Sequence, residues 1–354
     1  MPLPHSACQV CGPRAGVSPD TLFKCSRCQA VLYCGREHQS EHFASHKSTC
    51  KRIKKMRDRM AEEAAKVRSA NEDDWTPANA FETHVGLFWG IQSTRPYMRA
   101  KLEVIRALST IASRPAIEAA LAEAQDCMRL CRSDNLGIRE VIPTLLLLLD
   151  RYQEAYDFIK WYVTSGDDAH YDWANMDLPF LDVRGADMTE KLPSSMQRGR
   201  NVFFSSSLVY IKMMLAKAVK DAINAHELAD RASLPAGVTD SLGAFLAPNG
   251  HTHSLTDLKK LHKKLTSQMH EAFSLSHLQN QHFWYALLDP TPIVQAPKPP
   301  HYEPGDVNQV KLWVQQNAML WRDHREFIRE NRDEYPDFLP EMPHRGPKLM
   351  HNFP

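Results

Sequence analysis

Eight residues near the start of the chain have the types and spacing for metal binding: Cys8, Cys11, Cys25, Cys28, Cys34, His38, His46 and Cys50. They fall into four pairs, C-x2-C twice, then C-x3-H and H-x3-C. The chemistry is closed tetrahedral coordination by thiolates and imidazoles, four N/S ligands to each of two structural Zn2+ ions. A C-x2-C turn presents both sulfurs on one side of the chain. A spacing of four places two ligands on one helix face, so Cys34 pairs with His38 and His46 with Cys50. Two assemblies remain open. Sequential pairing gives Cys8/Cys11/Cys25/Cys28 with Cys34/His38/His46/Cys50. Interleaved pairing gives Cys8/Cys11/Cys34/His38 with Cys25/Cys28/His46/Cys50. His42 sits four residues from both His38 and His46, and His5 lies nearby; both are surplus to two tetrahedra.

The elements that position these ligands follow from the same stretch. Few large apolar side chains fall in the first fifty residues, so metal must supply what a core cannot. Arg36 to Lys51 reads as a helix carrying the last ligands. Residues 51–79 form a basic helical linker that begins KRIKKMRDR, with six basic residues in nine. Such a run reads first as a solvated helix face, and second as a nuclear localisation or phosphate-contacting patch. A near-neutral chain with one short basic segment gives little reason to expect nucleic acid as the partner.

The stretch CQVCG, FKCSRCQAVLYCGREHQSEHFASHKSTC resembles a MYND-type zinc finger over about Cys8 to Cys50. His38 stands where many members have cysteine, and Phe43 where many have tryptophan. The resemblance implies the interleaved pairing: Cys8, Cys11, Cys34 and His38 for one zinc, and Cys25, Cys28, His46 and Cys50 for the other. It also implies a protein-binding surface near Gln29, Gln39 and Phe43 that grips proline-containing peptides.

Beyond the linker the helical period dominates. Leu102, Ile105, Leu108 and Ile111 form one stripe, and Leu121, Ala124, Met128 and Cys131 the next. Cys127 and Cys131 lack further ligands close by and read as core. Ser133-Asp134-Asn135 ends that helix, and Ile138 to Leu149 is apolar almost all round. Residues 80–165 resemble tetratricopeptide-type hairpins at Gly137, Ala155 and Phe158, although the Gly137 to Ala155 spacing is too long for the repeat. Residues 166–334 extend the helical body. They open on a loop-rich stretch over 165–200, then helices over Asn201–Ala232 and Leu255–Leu288. A proline-rich, polyproline-like connector follows at 289–305, and a last helix starts at Asp306. Residues 335–354 read as an irregular tail. The fold class is mostly all-α, a small cross-braced finger over residues 1–50 plus a repeat-like body. Blocks such as SDNLGIRE, AYDFIKWY and HFWYALLDP resemble fungal MYND-finger proteins with helical bodies.

Charged residues make up 24% of the 354 and hydrophobic ones 43%, with a formal net charge of +1. No apolar run approaches a spanning segment and no signal peptide is visible, so no membrane partner is expected. Thiols at ligand spacing belong in a reducing compartment, cytoplasm or nucleus. Two enzyme classes can carry such a finger. For a SET methyltransferase the nearest match is Asn249-Gly250-His251, and it is poor. For a 2-oxoglutarate-dependent oxygenase, His170-Tyr171-Asp172 supplies an H-x-D, but on loop and helix instead of a barrel rim. The sequence therefore points to a non-enzyme. Its expected role is a zinc-binding protein-interaction module, a scaffold or transcriptional co-regulator, with an unrecognised active site in the body as the alternative.

Overall fold

A computed structural model describes residues 7–12, 19–70, 76–198, 201–229, 254–297 and 299–334. Its only sheet among these residues is a two-stranded hairpin, β1 (Phe23–Lys24) against β2 (Leu32–Tyr33), antiparallel with Phe23 opposite Tyr33. Everything else regular is helical.

Helix α1 (Arg36–Arg68) runs unbroken from the finger through the basic segment. It then packs along α3 (Arg95–Ser109), past the short α2 (Ala80–Thr83). The stretch expected to act as a linker is thus a docked strut. Ile53, Ala64 and Val67 turn inward and are buried, while its lysines face solvent. That is the ordinary division of an amphipathic helix.

Helix α4 (Arg114–Leu130) shows how local chemistry sets an element. Ser113 caps it by accepting the N–H of Ala116, and Pro115 occupies the first turn, where its missing N–H costs nothing. Leu121, Ala124, Cys127, Met128 and Cys131 are buried, so both cysteines are core residues. The chain turns at Asp134, whose carboxylate accepts the N–H of Ile138 and Arg139. The apolar run after Gly137 divides into a 3-10 turn (Ile138–Glu140) and α5 (Ile142–Leu148), because Pro143 can only open a helix. Helix α6 (Tyr152–Val163) completes this half. Residues 168–194 are irregular, as expected, and lead to the short α7 (Ser195–Arg198).

Helix α8 (Val202–Ala229) packs along α9 (Leu255–Gln279). The Val202–Glu227 stretch is long and apolar enough to cross a bilayer by length and composition, yet 83% of its apolar 18-residue segment is buried inside the protein. It is the central core helix. Three expectations about the remainder are corrected. The helix expected over Leu255–Leu288 stops at Asn280 and resumes as α10 (Phe283–Leu288), because the Asn280 side chain bonds the Asp306 carbonyl, Gln309 and the N–H of His282. The proline-rich connector contains a helical turn, α11 (Thr291–Gln295), with Pro292 at its start and Ile293 buried. The last helix is two, α12 (Val307–Trp321), capped by Asp306, and α13 (Arg325–Glu334). Trp284, Trp313 and Trp321 are fully buried among them. Helix lengths of 15, 17, 7 and 12 residues from α3 to α6 follow no fixed repeat. The Pro235–His253 connection, Asn249-Gly250-His251, His5 and the tail from 335 lie outside the described residues.

Candidate metal centre

Four local structures bring the eight ligands together. The first knuckle closes on Gly12, at φ 65, whose N–H bonds the Cys8 carbonyl. Only glycine adopts that left-handed backbone without penalty. The second knuckle closes on Gln29, at φ 56, whose N–H bonds the Cys25 carbonyl. The hairpin then carries the chain to Cys34, and the first turns of α1 carry His38, His46 and Cys50. The N–H of Gln9 donates to the Leu32 carbonyl, tying the first knuckle to β2.

Two clusters result, and they interleave. Cys8, Cys11, Cys34 and His38 form the outer one; Cys25, Cys28, His46 and Cys50 form the inner one, buried at all four positions. Within each, the ligand atoms lie within 4.8 Å of one another. Sγ of Cys11 is 3.7 Å from Sγ of Cys34, and Sγ of Cys25 is 3.9 Å from Sγ of Cys50. Sγ of Cys8 is 3.5 Å from Nδ1 of His38, and Sγ of Cys28 is 3.4 Å from Nε2 of His46. A zinc tetrahedron with Zn–S of about 2.3 Å and Zn–N of about 2.0 Å has edges of about 3.8 Å for S···S and about 3.5 Å for S···N. A disulfide would need sulfurs at about 2.05 Å. These edges fit zinc, and Cys34 to His38, at 3.0 Å, is the one compressed edge.

The electrostatics ask for the same cation. Burial, then the charge of Cys25 and Cys50, pushes the metal-free Cys28 thiol up to about 12. Three sulfurs packed so closely do not all ionise without positive charge among them. At Cys8 burial also works upward, but the N–H groups of Cys11, Val10 and Cys34 outweigh it and bring the thiol down to about 6. Two Zn2+ ions, each held by three cysteines and one histidine, complete the module.

His42 takes no part in either cluster. Its Nδ1 lies 2.9 Å from the Tyr33 hydroxyl, and its ring stacks on His46 at 5.2 Å. Spacing could not separate it from the true ligands. Other supporting residues were equally invisible. Arg57, in the basic run, donates to the Cys28 carbonyl at 2.6 Å. Ser113, the cap of α4, donates to the Ala30 carbonyl. Both lock the inner knuckle to the body from far along the chain.

Gln39 and Phe43 share a face of α1, four residues apart. Phe43 is 56% exposed, with the Lys47 ammonium 5.6 Å from its ring, and Gln29 is exposed at its knuckle. His170 and Asp172 are exposed on the 168–194 segment, where Asp172 accepts the N–H of Ala174. Among the described residues, no third potential ligand joins them.

The arrangement defines a class: a cross-braced, two-zinc module with no open coordination position. The family model that matches it, over residues 8–50, is the MYND finger. The N-terminal module of this chain is therefore a MYND finger, joined without a break to a helical body. No solved structure matches the chain.

Exposure differs between the sites, and zinc release should follow it. A chelator in excess is expected to remove one equivalent quickly from the outer site, where Cys34 is exposed, and the second slowly from the buried inner site. A zinc-sensitive dye reads both phases, and Cys34→Ser should remove the fast one. A single phase in the wild type would contradict the assignment.

Proposed function

We propose that this protein is a non-catalytic adaptor, a scaffold or co-regulator working in cytoplasm or nucleus, whose finger holds a proline-containing peptide. A MYND finger is a zinc-binding module of protein–protein interaction, and its closed metals leave zinc only the task of holding a shape. The observation that carries the reading is Phe43. A large aromatic ring more than half exposed on a rigid helix is what a peptide-binding face offers. Gln39 precedes it on the same face, and Gln29 supplies amide groups from the inner knuckle.

Beyond Phe43 an exposed row of cations, Lys47, Lys51, Lys55 and Arg59, each four residues on, winds round α1 by about 40° at each step. At a rise of about 1.5 Å per residue these cations stand about 6 Å apart along one helix. None pairs with a carboxylate among the described residues, in contrast to Lys54, which bonds Asp58 at 2.5 Å. The partner is therefore expected to be acidic beyond its proline-containing anchor. The test is an array of proline-containing peptides with acidic or basic flanks. Phe43→Ala should weaken every binder by about tenfold or more, and Lys51→Glu with Lys55→Glu should weaken only those with acidic flanks. Binders unaffected by Phe43→Ala would remove this face from the reading.

A further inference from the structure

A cavity of about 510 Å³ opens in the body between α4, α5, α6 and the irregular segment 168–194. Small-molecule sites span roughly 300–1,000 Å³. Its inner wall is apolar, with Met128, Ile142 and Leu146 buried and Phe158 and Phe180 half-buried.

The outer wall is held in place by side chains of the helices. Arg132 donates to the carbonyls of Met176 at 2.9 Å and Leu178 at 3.1 Å, and lies 5.1 Å over the Phe180 ring. Asp157, only 4% exposed, accepts the N–H of Gly185 and of Ala186, both at 2.9 Å. The Met176 side chain occupies the space a Cβ at Gly86 would fill. Leu181, at the lip, is held at φ 52, a left-handed backbone that leucine keeps only when its surroundings dictate it. A long irregular segment fixed this firmly in a compact body commonly serves a site.

Charge sets what the cavity accepts. Three guanidiniums line it, Arg129, Arg132 and Arg184, against two carboxylates, Glu154 and Asp157. Arg151 neutralises Glu154 through two bonds, at 2.6 and 2.5 Å, whereas Asp157 bonds only N–H groups and still counts against the guanidiniums. Arg132 and Arg184 bond only backbone carbonyls, which accept a hydrogen bond without cancelling a charge. Arg129 is balanced: it and Lys101 together face Asp126 and Glu123, so the excess positive charge of the lining comes from Arg132 and Arg184. An apolar wall beside uncancelled positive charge selects an amphipathic anion.

We propose that this cavity binds a small monocarboxylate with an apolar chain. The chain lies against Met128, Ile142, Leu146 and Phe158, and the carboxylate meets the exposed guanidinium of Arg184. The site is independent of the finger and of its peptide.

Calorimetry on the zinc-loaded full chain tests it with three probes of one chain length: decanoate, decanol and decyltrimethylammonium. Decanoate should saturate one site and bind about tenfold tighter than decanol, with the cationic probe weakest. With methyl-labelled methionine, decanoate should shift Met128 and Met176 and leave Met56, on α1, unmoved. Arg184→Glu, at an exposed position, should cost decanoate about tenfold and leave decanol unchanged. Decanol binding as tightly as decanoate, shifts that spare Met128 and Met176, or no saturation by about 1 mM decanoate would each overturn the proposal.

Discussion

Replacing Cys28 by serine is expected to take zinc from two ions per chain to at most one and to unfold the finger, while the helical body stays folded. Cys28 has no exposed surface, and its sulfur faces His46 in the buried cluster. A serine hydroxyl stays protonated at neutral pH and is a poor zinc ligand. Structural zinc contributes about 10–16 kcal/mol to folding a small finger. The finger's own core, chiefly Ala30, Val31, Leu32 and Tyr33, is far too small to replace that. Interleaving carries the damage outward, because the hairpin that carries Cys25 and Cys28 also delivers Cys34 to the outer site. Unfolding should stop near Ile53, where α1 begins to bury its inner face against the body. The body will still register the loss through two bonds, Ser113 to Ala30 and Arg57 to Cys28. A fall of a few degrees in its Tm is expected, at about 2–4 °C per kcal/mol for a unit of this size. Metal analysis, calorimetry and hydrogen exchange together read all three effects. Retention of two zincs, or loss of protection spreading evenly through α3 and α4, would contradict the account.

How legible this was in the sequence depended on the range of the interaction. The ligand pairs were readable because coordination uses spacings of three and four residues, which a turn or a helix fixes locally. Asp306 was readable as a helix start for the same reason. The choice between sequential and interleaved zinc sites was not, since Cys11 and Cys34 meet across 23 residues; family resemblance supplied it. Arg57 and Lys51 belong to one basic run, and composition treats them alike. One holds the inner knuckle and the other faces solvent, because α1 turns them to different sides. The stop at Asn280 was hidden because its side-chain partners lie 26 and 29 residues on. The cavity was hidden more thoroughly. Met128 reads as one more residue of a core stripe, and only the placement of residues 168–194 turns that stripe into a wall.

Lys212→Met should show what places that segment. Residues 168–194 have almost no secondary structure to satisfy their backbone polar groups, and buried groups of that kind must find partners. Charged side chains of the helices supply them: Asp157 takes the N–H groups of Gly185 and Ala186, and Lys212 takes carbonyls further on. The Lys212 ammonium is fully buried and donates to Met188 at 2.6 Å, Glu190 at 2.8 Å and the Gln268 side chain at 2.8 Å. Two effects oppose each other when it is replaced. A methionine of similar length removes a desolvated charge that has no carboxylate bonded to it, which favours the variant. It also strands three acceptors that it cannot serve, at about 1 kcal/mol or more each. The second effect should win, because two of those acceptors are main-chain carbonyls that no rotamer change can move to water. The expected loss is about 3 kcal/mol, or roughly 6–12 °C in the Tm of the body. If the segment instead peels away to hydrate its carbonyls, the Tm falls less, but amides 185–190 lose protection and the cavity loses its outer wall. Thermal unfolding and hydrogen exchange distinguish the two outcomes. An unchanged Tm together with unchanged protection over 185–190 would mean that Lys212 does not hold the segment.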